Sequence, residues 1–200
     1  QAPLELGADV VVHSTTKYLN GHSDSIGGAV ITDDDGVFKQ LAFAQRVGLG
    51  NMLLPFDCYL VARGLTTLPA RMEHHEKNAM EVVRFLESHD RVARVHYPGL
   101  ESHPQHYLAS EQMSGYSGML SFEFDGTLIE LEAFIEGLEV FTPGASLGGV
   151  ESLVEVPSLM IPDEFSRSED SAEIPETLVR VSVGLEDADD LCEDLRKALP

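Results

Sequence analysis

Lys17 follows Thr16 by one residue and Ser14 by three, directly behind the β-branched run Val10-Val11-Val12 and ahead of Gly21-His22-Ser23. A lysine amine held out of water is a nucleophile toward a carbonyl carbon and, once released, a proton carrier. Hydroxyls on the same tight turn can donate hydrogen bonds to a phosphate. One small molecule that carries both a carbonyl and a phosphate is pyridoxal 5'-phosphate. Lys17 would hold it as a Schiff base, with Ser14 and Thr16 on its phosphate. A surface lysine in a polar turn is the commoner fate of a lone lysine, but it leaves the hydroxyl cluster and the Gly21-His22-Ser23 turn unexplained.

A second chemical group sits near the other end of the chain. In Leu178-Val179-Arg180-Val181-Ser182-Val183 the three valines share one face of a strand, so Arg180 points away from the valine-packed side. A planar guanidinium can grip a carboxylate through two parallel hydrogen bonds, which would fix an amino-acid substrate. A structural ion pair is the alternative use of such an arginine in an acidic chain. His103 and His106 have a spacing that could suit a metal. Neither they nor His74 and His75 bring an evident third ligand, and Pro104 favours a loop, so no metal is expected. Gly148-Gly149 lacks a following lysine and reads as a tight turn rather than a phosphate loop.

The elements that must position these groups are legible from pattern. Val10 to Val12 reads as a strand covered on both faces in a parallel sheet, and Gly27 to Thr32 as another. Asp33 to Gly36 turns the chain into a helix over Val37 to Val47, and Pro55 with Asp57 opens a further helix. From Thr66 to Ser88 the residues Leu68, Met72, Ala79, Val82, Val83 and Leu86 recur at helical spacing. Shorter elements follow: strands Val92 to Tyr97 and Met119 to Phe124, a helix Leu128 to Gly137, and a last helix Asp187 to Leu199 with Leu191, Leu195 and Leu199 on one stripe. This later region reads as an α/β sandwich with a mainly antiparallel sheet.

Composition bounds the rest. With 200 residues and 43% hydrophobic side chains, the chain can bury a sizeable core in one or two domains. Acids outnumber bases 34 to 13, a net charge of −21 that repels phosphate backbones and anionic membranes, so neither nucleic acid nor membrane is an expected partner. An acidic surface with only Lys17, Lys39, Lys77 and Lys197 suits a salt-rich cytoplasm. No apolar run approaches the roughly 20 residues of a membrane span, and no secretory signal is evident. Cys58 and Cys192 suggest no disulfide framework, which fits a reducing compartment. The start at Gln1 is read as the later part of a longer polypeptide. These residues alone are accordingly expected to bind the cofactor poorly.

The segment Ser14-Thr15-Thr16-Lys17-Tyr18-Leu19-Asn20-Gly21-His22-Ser23 resembles the cofactor-attachment signature of the Cys/Met-metabolism enzymes dependent on pyridoxal phosphate, the group of cystathionine γ-synthase and γ-lyase. Further similar segments run along the whole chain, among them Pro55-Phe56-Asp57-Cys58-Tyr59-Leu60, Tyr97-Pro98-Gly99-Leu100 and Ser146-Leu147-Gly148-Gly149-Val150-Glu151-Ser152. The resemblance implies an aspartate-aminotransferase-like α/β fold (fold type I). Residues 1–68 would end the large, mainly parallel-sheet cofactor domain, and residues 69–200 would form the small C-terminal domain. It implies that Lys17 is the cofactor lysine, that Ser14 and Thr16 bind phosphate, that Arg180 pairs with the substrate α-carboxylate, and that Ser146 lies beside the substrate. It further implies a cytoplasmic homotetramer acting on a small amino acid.

The chemistry implied is γ-elimination of cystathionine to cysteine, 2-oxobutanoate and ammonia. γ-Replacement on O-acylhomoserine by cysteine and methionine γ-elimination share the same lysine. Pro55 to Leu60 and Tyr97 to His106 resemble the γ-lyase branch most. Ala145 departs from it, since γ-lyases and γ-synthases often carry an acid there and methionine γ-lyases a small apolar residue. Met160-Ile161-Pro162 also departs from the usual Met-Thr-His. The non-enzyme alternative, a fragment kept for association, is disfavoured because Lys17, Ser14, Thr16 and Arg180 occur together.

Overall fold

The computed structural model describes residues 1–160 and 174–199, and the chain divides into two units, Gln1–Pro69 and Ala70–Pro200. In the first, strands β1 (Val11–Ser14) and β2 (Gly28–Ile31) pair antiparallel, with Val11 opposite Ile31 and Ser14 opposite Gly28. The valine run therefore makes a strand, and the neighbour it pairs with in this chain, β2, runs antiparallel rather than parallel to it. Within this chain Val12 is 73% exposed. A β-branched run favours extended backbone and apolar neighbours, yet carries no information on strand direction. Helix α1 (Asp35–Phe43) starts where Asp34 accepts the Val37 N–H at 2.7 Å, and it loosens into a wide turn, Ala44–Leu49, closed by left-handed Gly50. Helix α2 (Pro55–Leu65) opens on Pro55, whose missing N–H costs nothing in the first turn.

The second unit is built on a five-stranded sheet in the order β3-β4-β7-β6-β5. Its strands are β3 (Val92–His96), β4 (Met119–Phe124), β5 (Thr142–Pro143), β6 (Leu153–Glu155) and β7 (Leu178–Ser182). All neighbours pair antiparallel except β5 with β6. Strict alternation sends Leu120, Phe122 and Phe124 of β4, with Val179, Val181 and Val183, into the core. Helices α3 (Leu68–Glu87), α5 (Leu128–Glu136) and α7 (Ala188–Ala198) supply Val82, Val83, Leu86, Leu131, Phe134, Leu191 and Leu195 to that core. Phe134 packs edge-on to Phe122 at 6.2 Å and flat on Phe124 at 6.1 Å. Short helices α4 (His106–Gln112) and α6 (Pro157–Met160) complete the described elements. Ile161 and Pro162 lie outside the described residues. No described helix is long and apolar enough to cross a membrane.

The hydrophobic spacing of α3 misses part of its buried face. Arg71, His75 and Asn78 are buried on it alongside Ala79, Val82, Val83 and Leu86. The phase of the helix continues through them, but their polarity hides it. His75, fully buried, donates through Nδ1 to Val183 O at 2.8 Å, and Asn78 donates to Gly184 O at 3.1 Å and Glu186 O at 2.8 Å. Asp194 on α7 is a second buried polar tie. Its carboxylate accepts the N–H groups of Glu139, Val140 and Phe141 at 2.8, 2.9 and 3.0 Å, and so fixes the turn after α5.

Two outcomes follow from these ties. Asp194→Ala strips three N–H groups, that of Phe141 buried and those of Glu139 and Val140 partly so, of their acceptor and should destabilise the protein by about 2 kcal/mol, read as a lowered midpoint in urea. Burial, reinforced by the Arg71 charge, lowers the pKa of His75 below its usual 6.5. The unfolded chain therefore takes up this proton first. The contribution of His75 is complete above about pH 6.5 and is lost as pH falls from there through the lower folded value. Thermal midpoints should drop between pH 7 and pH 5, and His75→Asn, which keeps a donor but does not titrate, should flatten that slope.

Candidate active site

Within the first unit, the chain leaves β1 at Ser14 and enters a wide helical turn, Thr15–Leu19, whose helical backbone breaks at Lys17 (φ −89°, ψ −140°). Wide turns of this kind recur at functional positions because they turn a side chain out of the regular spiral. Gly27 anchors the turn from both sides of its peptide. Its carbonyl accepts the Thr15 N–H at 2.9 Å, and its N–H donates to Thr16 Oγ1 at 3.0 Å. Thr16 Oγ1 reaches Gly27 O only at 3.4 Å, a long contact that leaves the hydroxyl proton deliverable to a better acceptor. Ser14 is exposed and its hydroxyl caps nothing. Lys17 is half-buried rather than enclosed.

The segment after Lys17 is stapled down. Left-handed Gly21 (φ 73°) and Ser23 (φ 55°) reverse the chain, Asn20 donates to Asp24 at 2.7 Å, and His22 Nδ1 donates to Asn20 O at 2.7 Å. Ser25 donates to Asp57 Oδ1 at 3.1 Å, which ties this loop to the first turn of α2. At the other end of α2, a Cβ on Gly64 would stand 2.2 Å from Asn20 O, so only glycine allows the approach. Asn20 lies in the segment that resembles the attachment signature and Asp57 in Pro55 to Leu60, but none of Asn20, Asp57 and Gly64 is a residue type that points to chemistry by itself, so the sequence alone assigns them no role in the site.

The donor set fits pyridoxal phosphate. Two hydroxyls precede an amine in sequence, and the hydrogen-bonding capacity of Ser14 and the proton of Thr16 are weakly engaged within the chain. Phosphate, with acceptor oxygens only when ionised, calls for O–H donors of this kind.

The second unit places Ser146 and Arg180 together. Arg180 Nη2 donates to the Ser146 carbonyl at 2.8 Å and pairs with Glu155 Oε2 at 2.9 Å. The contact to Ser146 is thus through its backbone. The structural ion pair left open by the sequence is present, and Glu155 is nearly buried. The Arg180 side chain nevertheless remains 34% exposed, so it is open to a further anion. Gly148 is left-handed at φ 76°, and its N–H donates to Ser182 Oγ at 3.0 Å, which bears out the tight turn at Gly148-Gly149. His106 donates to Pro98 O at 2.8 Å and His103 accepts the Gln105 N–H at 3.2 Å, local bonds that pin the loop before α4. Among the described residues, no three metal-ligating side chains gather.

The sequence model of the family described as Cys/Met metabolism PLP-dependent enzyme matches residues 1–200. The chain is 51% identical over 200 residues to cystathionine gamma-lyase of Mus musculus, covering 100% of this chain and 50% of that protein. It is 48% identical over 199 residues to cystathionine gamma-synthase of Mycobacterium leprae, again with 100% and 50% covered. A solved structure, cystathionine gamma synthase from Xanthomonas oryzae pv. oryzae in complex with aminoacrylate and cysteine, matches with a TM-score of 0.92 and 45% identity over 100% of this chain and 51% of that one. The chain spans about half the length of the curated relatives it matches. Its fold is that of the fold type I pyridoxal phosphate enzymes, as expected from the sequence.

The Gly64 contact yields a direct outcome. Gly64→Ala must push the Asn20 carbonyl away and should lower the thermal midpoint, by an amount equivalent to about 1–3 kcal/mol. Ala62→Gly, a helix position in α2 without that approach, should cost only about 1 kcal/mol in the same melting experiment.

Proposed function

Because the chain belongs to the Cys/Met metabolism PLP-dependent enzymes, we propose that it contributes Lys17, Ser14, Thr16, Ser146 and Arg180 to the γ-elimination of cystathionine, which yields cysteine, 2-oxobutanoate and ammonia. The observation that carries this reading is the Lys17 turn, where a break in the helical backbone presents an amine between hydroxyl donors and a stapled glycine turn.

Lys17 would hold pyridoxal phosphate through its amine, and the hydroxyls of Ser14 and Thr16 would bind its phosphate. When bound, the cofactor supplies an electron sink for the bonds at the substrate Cα. The Lys17 amine would take the substrate Cα proton and carry it onward. Arg180 orients the substrate by its α-carboxylate, which aligns the Cα–H bond for that transfer. Glu155 and the Ser146 carbonyl steady the guanidinium from behind, since both use Nη2. By resemblance the complete enzyme is a cytoplasmic homotetramer.

A second reading rests on Ala145. This exposed, small residue offers no carboxylate to the distal ammonium of cystathionine, which favours methionine as the γ-elimination substrate. The complete gene product, given cystathionine, methionine, or O-acylhomoserine plus cysteine, separates these cases. Cysteine and 2-oxobutanoate from cystathionine are expected. Methanethiol from methionine would favour the second reading, and cystathionine from the third mixture would mean γ-replacement. Lys17→Ala should remove the cofactor absorbance band and lower turnover by at least about 10²-fold. A protein that binds the cofactor yet forms none of these products would sink the γ-carbon reading.

A further inference from the structure

Arg180 is held at two points by one nitrogen, and those points are the two ends of a single excursion of the chain, residues 146–155. Ser146 O lies at its start and Glu155 Oε2 at its end. Where the guanidinium sits therefore depends on the path between them. That path follows β7 and its continuation closely. Gly148 N–H donates to Ser182 Oγ at 3.0 Å, and Leu185 N–H to Val150 O at 2.8 Å. A Cβ on Gly184 would stand 2.3 Å from Val150 O, so the two backbones touch there. The chain then reverses, and Leu153, Val154 and Glu155 pair antiparallel with Ser182, Val181 and Arg180.

The reversal occurs at Ser152, which is fully buried and makes four hydrogen bonds, one of them from the Thr142 N–H to its carbonyl at 3.0 Å. Its N–H donates to Glu186 Oε1 at 2.7 Å, its hydroxyl donates to Glu186 Oε2 at 2.8 Å, and the same hydroxyl accepts the Gly184 N–H at 2.8 Å. Both oxygens of Glu186 thus engage one serine, in charge-assisted bonds stronger than those between neutral groups. The Glu186 backbone is fixed in turn by Asn78 through its carbonyl. Two parallel bonds define an orientation as well as a distance, which a single bond does not.

We propose that Glu186 is a positioning residue: by seating Ser152 it sets the path of residues 146–155, hence the two points that hold Arg180, and hence how well the site takes an α-carboxylate. This rests on the reading of Arg180 as the carboxylate-binding group. Glu186 acts through Ser152 and not by contact with substrate or cofactor. Its effect is confined to ligands that carry the carboxylate.

The test uses the complete gene product loaded with pyridoxal phosphate. Glu186→Gln keeps the size of the side chain but replaces one acceptor oxygen by an NH2 group, so one of the two Ser152 donors loses its acceptor. KM for the amino-acid substrate should rise about tenfold with kcat within about twofold, the signature of lost ground-state binding. The cofactor absorbance band should be unchanged. Titration of that band by the decarboxylated amine should match the wild type, whereas titration by the amino acid should weaken about tenfold. If Glu186→Gln does not fold, Ser152→Ala, which removes the hydroxyl and keeps the N–H bond, should show the same pattern at about threefold. An unchanged KM, or equal weakening for amine and amino acid, overturns the proposal. Arg180→Lys separates the layers. If it weakens amino-acid binding while Glu186→Gln does not, only the positioning role falls. If it leaves amino-acid binding intact, the carboxylate reading falls and takes this proposal with it.

Discussion

Beyond Ser182 the central strand of the second unit leaves its sheet while still buried, and each peptide group there must find a partner away from water. Val183 N–H finds Gly118 O, Val183 O takes the His75 ring, Gly184 O takes Asn78, Gly184 N–H reaches Ser152, and Leu185 N–H reaches Val150 O. Satisfying this short run draws helix α3 and the 146–155 excursion onto β7. It explains why α3 buries His75 and Asn78, polar residues that would otherwise weaken a core face. It also brings Ser146 and Glu155 to Arg180. The guanidinium's partners thus lie on the same excursion that satisfies the backbone a few residues downstream.

The first unit solves a related problem by different means. Its described buried residues are polar or glycine: Thr15, Asn20, Gly21, Ser25 and Gly64. Order comes from close approach and short side-chain bonds, such as Asn20 under Gly64 and Ser25 on Asp57. A turn held in this way can keep an irregular backbone at Lys17, because its groups are tied from outside the turn as well as within it. Gly27 is central to that restraint, with both its N–H and its carbonyl committed to the turn.

Strand β4, helix α5 and the last helix were legible because their patterns are clean. Met119 to Phe124 alternates without exception, and Leu191, Leu195 and Leu199 repeat at helical spacing beneath an acidic first turn and a basic last one. The helix expected over Val37 to Val47 begins earlier, since Asp34 is a good cap, and ends earlier, since Gly48 and Gly50 favour a loose turn. The strands β5 and β6, of two and three residues, are too short for a period to be read. The antiparallel pairing of β1 escaped the sequence for another reason: strand direction is a property of the neighbour, not of the run.

The sequence by itself determined which side chains could do chemistry: an amine behind two hydroxyls and a guanidinium opposite a valine face, each a matter of residue type and local period. Those features are local, so a dozen residues carry them. Only the tertiary structure decided what holds them. Glu155 and Ser146 meet Arg180 from 25 and 34 positions away, and Glu186 meets Ser152 from 34. No local pattern encodes such partners. They are selected by which strands pair in which register, and by the need to satisfy every buried peptide group once they do.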